Sequence, residues 1–170
     1  MNSENSIYVA YGSNLNLEQM EWRCPYAKVL GNAELRDYQL LFRGGNGGSV
    51  ATVEPKKDSS VPVLLWDITP RDEEALDRYE GWPHLYRKET VTVYHKGKAV
   101  KAMAYIMNVE SPKDIGGSKS RFCEAKNMSR PLGSPSEGYL NTILEGYRSA
   151  GFDEKVLEQA VKDSAGGRAK

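Results

Sequence analysis

Two short segments, far apart in the chain, have the residue types for proton-transfer chemistry on an acyl group. The first is Tyr8-Val9-Ala10-Tyr11-Gly12-Ser13-Asn14, an apolar run that reads as a strand and enters a tight glycine-containing turn. Glycine reaches positive φ at low cost and lets a ligand come close to the backbone. The residues after it open a helix, whose first N–H groups have no partner within the helix. Such a turn can hold an anion, or a carbonyl oxygen that gains charge during reaction. The second is Leu76-Asp77-Arg78-Tyr79-Glu80-Gly81, a helix that closes on a carboxylate. Taken singly, each also reads as ordinary structure: a strand-to-helix turn, and a surface acid beside Glu73, Glu74 and Asp77.

Position sets the expected behaviour of Glu80. The carboxyl end of a helix carries partial negative charge, so an acid there is less stable ionised and its pKa is expected above the ordinary value of about 4.3. The helix contribution is roughly 0.3–1 kcal/mol, under about one pH unit, and burial by Tyr79, Trp82 or Tyr86 would add to it. A carboxylate tuned upward is a better base near neutral pH. Other chemistries are poorly served. The run Gly44-Gly45-Asn46-Gly47-Gly48 lacks the Gly-Lys-Ser/Thr of a phosphate loop and precedes a strand, so it reads as a flexible hairpin loop. Ser13 is not in a Gly-x-Ser-x-Gly elbow. The 2 histidines, His84 and His95, make neither a convincing triad nor a zinc site.

The elements that must position these groups are mostly strands. Ile7–Tyr11, Val29–Leu35, Tyr38–Phe42, Ser49–Val53, Val61–Ile68, Thr90–Tyr94 and part of Ala99–Met107 are β-compatible, with Arg36-Asp37 as a break and Lys96-Gly97-Lys98 as a hairpin turn. Several short strands joined by tight turns suggest a small barrel or closed sheet. Helices are expected over Leu15–Trp22, with Asn14 or Asn16 as cap, and over Asp72–Tyr79. Thr69-Pro70-Arg71-Asp72 is a strong start for the latter and Gly81 a stop. A third runs from Ser136 to Gly151, with Leu140, Ile143, Leu144 and Tyr147 on one face, and Val156, Leu157, Ala160 and Val161 mark a fourth. The polar segment Ser111–Pro135 reads as a long loop, and Ala165–Lys170 as a frayed tail.

The whole chain narrows the field further. With 170 residues, one domain over 1–170 is expected. Hydrophobic residues make up 39% and charged residues 27%, a globular rather than disordered composition. Lys plus Arg equals Asp plus Glu, 23 each, which argues against broad binding to nucleic acid or to an anionic membrane. Cys24 and Cys123 form no C-x-x-C spacing and are read as plain thiols. The polar, acidic start Met1-Asn2-Ser3-Glu4-Asn5-Ser6 is not a secretory signal, and no apolar run approaches the roughly 18 residues of a membrane span. A cytoplasmic location is expected.

The two segments together resemble the γ-glutamylcyclotransferase (AIG2-like) family. The resemblance also takes in Gly47-Gly48-Ser49-Val50-Ala51-Thr52-Val53, Tyr86, and Pro135-Ser136-Glu137-Gly138-Tyr139-Leu140, in the same order over about residues 7 to 150. It implies an α+β fold, a small mixed β-barrel of about six strands flanked by three or four helices, in agreement with the strand reading. It implies an enzyme, of acyltransferase or lyase type, that cleaves a γ-glutamyl amide through attack by the substrate's own α-amine, closing 5-oxoproline and releasing an amino acid or amine. Glu80 matches the family's acid/base. Tyr8, Val9, Ala10, Tyr11, Gly12, Ser13 and Asn14 match its substrate-binding run, Tyr139 a substrate-contacting tyrosine, and Tyr86 a wall of the site. Neither metal nor cofactor is implied, because nucleophile and electrophile share one molecule. The expected partner is a small-molecule γ-glutamyl substrate, with no nucleic acid and no membrane; a homodimer is left open. The long segment Ser111–Pro135, with Lys113, Lys119, Arg121, Lys126 and Arg130 against Asp114 and Glu124, departs from compact members and reads as a lid over the leaving-group side, a docking surface for a larger substrate, or an insertion with no role. It leaves two alternatives: a γ-glutamyl-amine or γ-glutamylated biosynthetic intermediate as substrate, or a non-catalytic binding module.

Overall fold

A computed structural model of the chain describes residues 4–45, 47–109 and 130–165. Five strands close into a barrel in the order β1-β3-β2-β4-β5: β1 Ser6–Ala10, β2 Lys28–Arg43, β3 Val50–Ile68, β4 Tyr86–His95 and β5 Lys98–Met107. Every neighbouring pair is antiparallel except β1 and β5, which run parallel with Tyr8 opposite Met103. The barrel is therefore mixed, as expected, and its five strands are close to the expected six, β2 and β3 being longer than the short strands read from the sequence. The difference lies in Arg36-Asp37 and in residues 54–60. Both read as breaks because they are polar, yet the β2–β3 ladder runs through them, with a register shift between Arg36 and Tyr38. Asp37 and Asp58 take φ of 65° and 67°, and the Asp58 N–H donates to Asp37 Oδ1 at 2.9 Å. This local bulge, tied by a side chain, absorbs the extra residues without ending either strand. The β4–β5 turn is the pair Lys96-Gly97, at φ 53° and 79°, the positive values that a two-residue hairpin needs.

Four helices flank the barrel: α1 Leu17–Arg23, α2 Pro70–Glu80, α3 Glu137–Ala150 and α4 Glu154–Ala165. The first does not follow the glycine turn directly. A single 3-10 turn, Ser13–Leu15, comes between, and Asn16 rather than Asn14 caps α1 by accepting from the Gln19 N–H. The start of α2 is the expected capping box: Thr69 Oγ1 accepts from the Asp72 N–H at 3.1 Å, and Asp72 Oδ2 accepts from the Thr69 N–H at 3.0 Å. Gly81 ends α2 in the left-handed region, φ 68°, and Gly151 ends α3 in the same way at φ 78°. The core fills the barrel with Leu35, Phe42, Val53, Val61, Val63, Leu65, Val93 and Ala104, and extends under the helices to Leu76, Ile143 and Leu157. Among the described residues no helix is long and apolar enough to cross a membrane.

Helix α3 fixes the turn that follows β1. Asn16 Nδ2 donates to the Thr142 carbonyl and to Glu145 Oε1, each at 3.0 Å, so one side chain caps α1 and binds it to α3. Gly146 lies directly against the turn: a Cβ there would sit 2.6 Å from Leu15 Cβ and 2.8 Å from the Leu15 carbonyl carbon. Real carbon contacts do not come so close, so glycine is required by space. Most of the expected loop, residues 110–129, lies outside the described residues, and Cys123 and the expected lid with it. Of its described end, Gly133 N–H donates to the Phe42 carbonyl at 3.2 Å, and Leu132 bridges Arg43. Gly146→Ala should test the α3 contact. Alanine favours an isolated helix by about 1 kcal/mol, but overpacking here should win and destabilise the protein by about 1–3 kcal/mol, read as a lower Tm in thermal unfolding.

Candidate active site

Tyrosines line a cavity of about 220 Å³ at one end of the barrel, with Glu80 on its wall. Strand β1 and its turn contribute Tyr8, Tyr11, Gly12, Ser13 and Asn14. The first residues of β3, Val50 and Ala51, form a second side, α2 and the loop after it bring Tyr79, Glu80 and Leu85, and Tyr86, Tyr105 and Tyr139 come from β4, β5 and α3. Of the residues expected in the site, Val9 and Ala10 are absent from this wall. Their side chains are fully buried in the core and their backbones pair with Leu65 and Leu64 of β3. Their apolar character serves the barrel, while their neighbours Tyr8 and Tyr11 face the cavity. His84 and His95 are likewise not on the wall. Ser13 Oγ lies 2.9 Å from Tyr79 Oη, with no histidine to activate it. Among the described residues no cluster of three His, Cys, Asp or Glu side chains could hold a metal ion.

Gly12 is needed for space rather than for positive φ. Its φ is −126°, and a Cβ on it would lie 3.2 Å from Ala51 Cβ and 3.7 Å from Tyr139 Oη, on the cavity side. The turn's own bonds use the Leu15 N–H to Gly12 O and the Asn16 N–H to Ser13 O, each 3.0 Å. The N–H groups of Gly12 and Ser13 precede these and have no partner within the turn. The expected donors are therefore present, but they come from the 3-10 turn, since the first turn of α1 is closed by Asn16.

Glu80 is the last residue of α2. Gly81 turns the chain immediately after it, and its N–H bonds back to the Arg78 carbonyl at 3.3 Å. Protein packs around the carboxyl closely enough, despite some surface left at the mouth, to raise its pKa to about 7; burial is the main cause, and the positive charge of Arg23 works in the opposite direction. No described residue gives the carboxyl a hydrogen bond or a salt bridge. Of the aromatics expected to bury it, Tyr79 and Tyr86 line the cavity. Trp82 does not: it is 42% exposed, with Lys88 Nζ 4.2 Å from its ring centroid. Asp77, which reads in sequence as a solvated charge, accepts from Tyr105 Oη at 2.6 Å and pairs with Lys88 at 3.0 Å.

Two residues of this network escape the sequence reading. Tyr105, in β5, lines the cavity and stacks edge-on with Tyr8 at 5.9 Å between centroids. Arg23, in the last turn of α1, donates to Asn14 Oδ1 and to Gln19 Oε1, the latter at 3.0 Å, and its guanidinium lies 3.5 Å from the Tyr79 ring centroid. The only signal in the sequence is the Gln19–Arg23 spacing of four, which places the pair on one helix face.

The raised Glu80 pKa carries a consequence for stability. Between 4.5 and about 7 the folded protein keeps a proton that the unfolded chain releases. The favourable contribution is therefore complete below pH 4.5 and is lost as pH rises through 7. Glu80→Gln should remove this dependence. At pH 8 the variant should be more stable than wild type by up to about 3 kcal/mol, and the advantage should vanish below about pH 5, as read by denaturant titrations at the two pH values.

Comparisons with known proteins agree with the fold. The sequence model of the family described as Gamma-glutamyl cyclotransferase, AIG2-like, matches residues 8–122. A Gamma-glutamylcyclotransferase of Bos taurus is 31% identical over 173 residues, covering 95% of this chain and 91% of the relative. The Homo sapiens protein of the same name is 31% identical over 140 residues, 76% of this chain and 74% of the relative. A solved structure named Gamma-glutamyl cyclotransferase superimposes with a TM-score of 0.71 at 25% identity, covering 92% of this chain and 86% of that one. A mixed barrel whose cavity is lined by both Glu80 and the Gly12–Ser13 turn, and these relatives along nearly the whole chain, place the protein in the γ-glutamyl cyclotransferase, AIG2-like family of enzymes.

Proposed function

We propose that the protein cleaves a γ-glutamyl amide by intramolecular aminolysis, releasing 5-oxoproline and an amino acid or amine. The observation that carries this reading is a desolvated, unpaired Glu80 on the same small cavity wall as the Gly12–Ser13 turn. At neutral pH an α-amine is mostly an ammonium, with a pKa near about 8, and cannot attack. A carboxylate titrating at about 7 is matched to take that proton.

The α-nitrogen, once free, attacks the γ-carbonyl carbon of the same molecule. Five-membered ring closure needs no second reactant, so tethering supplies much of the rate. The carbonyl oxygen gains charge as the C–N bond forms, and the turn N–H groups are the donors suited to receive it. The old C–N bond then breaks as Glu80 gives its proton to the departing nitrogen; the carboxylate so freed takes the second proton of the ring nitrogen and passes it to the released amine, which leaves as an ammonium, so the carboxyl ends as it began. The small cavity suits the glutamyl part, and the leaving group would extend through the mouth beside the half-exposed Tyr79.

Incubation with a panel of γ-glutamyl amides, followed by mass spectrometry for 5-oxoproline, tests the reading. Wild type should form 5-oxoproline, Glu80→Gln should lose roughly 10²–10⁴-fold in kcat, and amides acetylated on the α-nitrogen should not react. Release of glutamate in place of 5-oxoproline would show hydrolysis and overturn the proposal. The acidic limb of kcat/KM should have its midpoint near 7; a midpoint near the ordinary carboxyl value would remove Glu80 from the role of base.

A further inference from the structure

Six tyrosines line the cavity; three of their hydroxyl groups donate to other protein groups and a fourth shares a hydrogen bond in which either oxygen can be the donor. Tyr11 donates to the Tyr105 carbonyl at 2.5 Å, Tyr86 to the Ala51 carbonyl at 2.5 Å, Tyr105 to Asp77 at 2.6 Å, and Tyr79 shares a hydrogen bond with Ser13. The other two hydroxyls only accept. Tyr139 Oη accepts from the Ala51 N–H at 2.9 Å, and Tyr8 Oη accepts from Asn14 Nδ2 at 2.8 Å. No described acceptor takes the hydrogen of either.

What keeps Tyr8 an acceptor is one cation. An amide side chain can be turned either way, so Asn14 alone could offer Tyr8 its oxygen and take the Tyr8 hydrogen. A guanidinium can only donate. Because Arg23 donates to Asn14, the atom facing it must be Oδ1, and Nδ2 is thereby aimed at Tyr8. Arg23 is in turn held by Gln19 Oε1 and by the face of Tyr79.

We infer that Arg23 is a positioning residue for the reaction: through Asn14 it orients the Tyr8 hydroxyl so that its hydrogen points into the cavity as a donor to the γ-glutamyl substrate. This rests on the proposed function for the identity of the substrate, while the relay Arg23–Asn14–Tyr8 rests on the hydrogen bonds alone. The relay makes an unusual demand on Asn14. Aspartate has the same shape and would keep Arg23, but it has no hydrogen to give Tyr8; it would accept the Tyr8 hydrogen and withdraw it from the cavity.

The test uses two readouts. The first is kcat/KM for the best γ-glutamyl amide on the pH plateau. The second is the Kd of that amide for the Glu80→Gln protein, which binds without turning over. Asn14→Asp, Arg23→Gln and Tyr8→Phe should each lose roughly 10- to 100-fold in one or both readouts, the loss of a hydrogen bond to a charged or developing charge. Arg23→Lys, which can still donate to Asn14, should recover part of it. Arg23→Gln combined with Tyr8→Phe should be no worse than Tyr8→Phe alone by more than about threefold, since both break one relay. The acidic limb adds a readout that a packing role would not move. Among the described residues the titratable groups near Glu80 are Arg23 from α1, Tyr8 and Tyr11 from β1 and its turn, Tyr86 from β4 and Tyr139 from α3, with Tyr79 of α2 on the same cavity wall, and of these only Arg23 is a cation. Arg23→Gln should therefore shift the limb to higher pH. If wild type forms no 5-oxoproline, the proposed reaction fails while the Kd series still reads the relay. The inference is overturned if Arg23→Gln or Asn14→Asp leaves both readouts within about threefold of the parent, if the losses of Arg23→Gln and Tyr8→Phe multiply, or if no γ-glutamyl amide binds the Glu80→Gln protein.

Discussion

Withdrawal of one carboxyl group from most of its water, with only part of its surface left at the mouth, is the constraint around which this end of the barrel is arranged. An acid with no protein partner would ordinarily turn to solvent, because losing hydration without a compensating bond is costly. Glu80 cannot do so. It is the last residue of α2, and Gly81 bends the chain away at once. The capping box at Thr69 and the buried Leu76 fix the helix at its other end and middle. The carboxyl is thus held against rings that offer it no hydrogen bond, and the packing of the rest of the domain supplies the free energy that keeps it there. Strain of this kind belongs at a site whose chemistry needs a proton acceptor near neutral pH.

The opposite wall is built by closeness instead of by charge. Gly12 lets Ala51 and Tyr139 come near the turn, and Gly146 lets α3 press on Leu15. Asn16 then ties the turn to α3 by two hydrogen bonds. The glycine-rich connection before β3 has a related part. Its Ser49 hydroxyl closes the loop onto Gly45, accepting at 2.9 Å and donating at 2.6 Å, and so sets where Val50 and Ala51 enter the cavity wall. Among the described residues no positive charge lies on the wall itself, and Arg23 acts across Asn14 and Tyr79. A cation in direct contact with Glu80 would lower its pKa and weaken it as a base.

The helices were legible because their signals are local. Thr69-Pro70-Arg71-Asp72 and Gly81 mark α2 within a residue or two, and the spacing of Leu140, Ile143, Leu144 and Tyr147 marks α3. Glu80 and Tyr11–Asn14 could be singled out for the same reason, since a helix end and a glycine turn are each readable alone. The strands were legible in place but not in length. A charged pair such as Arg36-Asp37 looks like a break, and only the pairing with β3 shows that it is a bulge. Val9 and Ala10 belong to the same motif, yet their side chains are fully buried in the core while those of Tyr8 and Tyr11 line the cavity; a motif marks a stretch of chain and does not say which of its side chains reach the wall. Arg23 and Tyr105 were invisible for a deeper reason. Arg23 meets Asn14 only after the chain has passed through a 3-10 turn, a cap and a helix, a path with no single period. Tyr105 reaches the cavity only once β5 closes the barrel beside β1.

The central claim is that Glu80 exists as a carboxyl titrating near neutrality, and it can be observed without any substrate. With glutamate labelled at the side-chain carboxyl carbon, the Glu80 resonance is identified by its loss in Glu80→Gln and followed by NMR across the pH range. A midpoint near 7 is the result this account predicts. A midpoint near about 4.3, the value of a solvated glutamate, would contradict it.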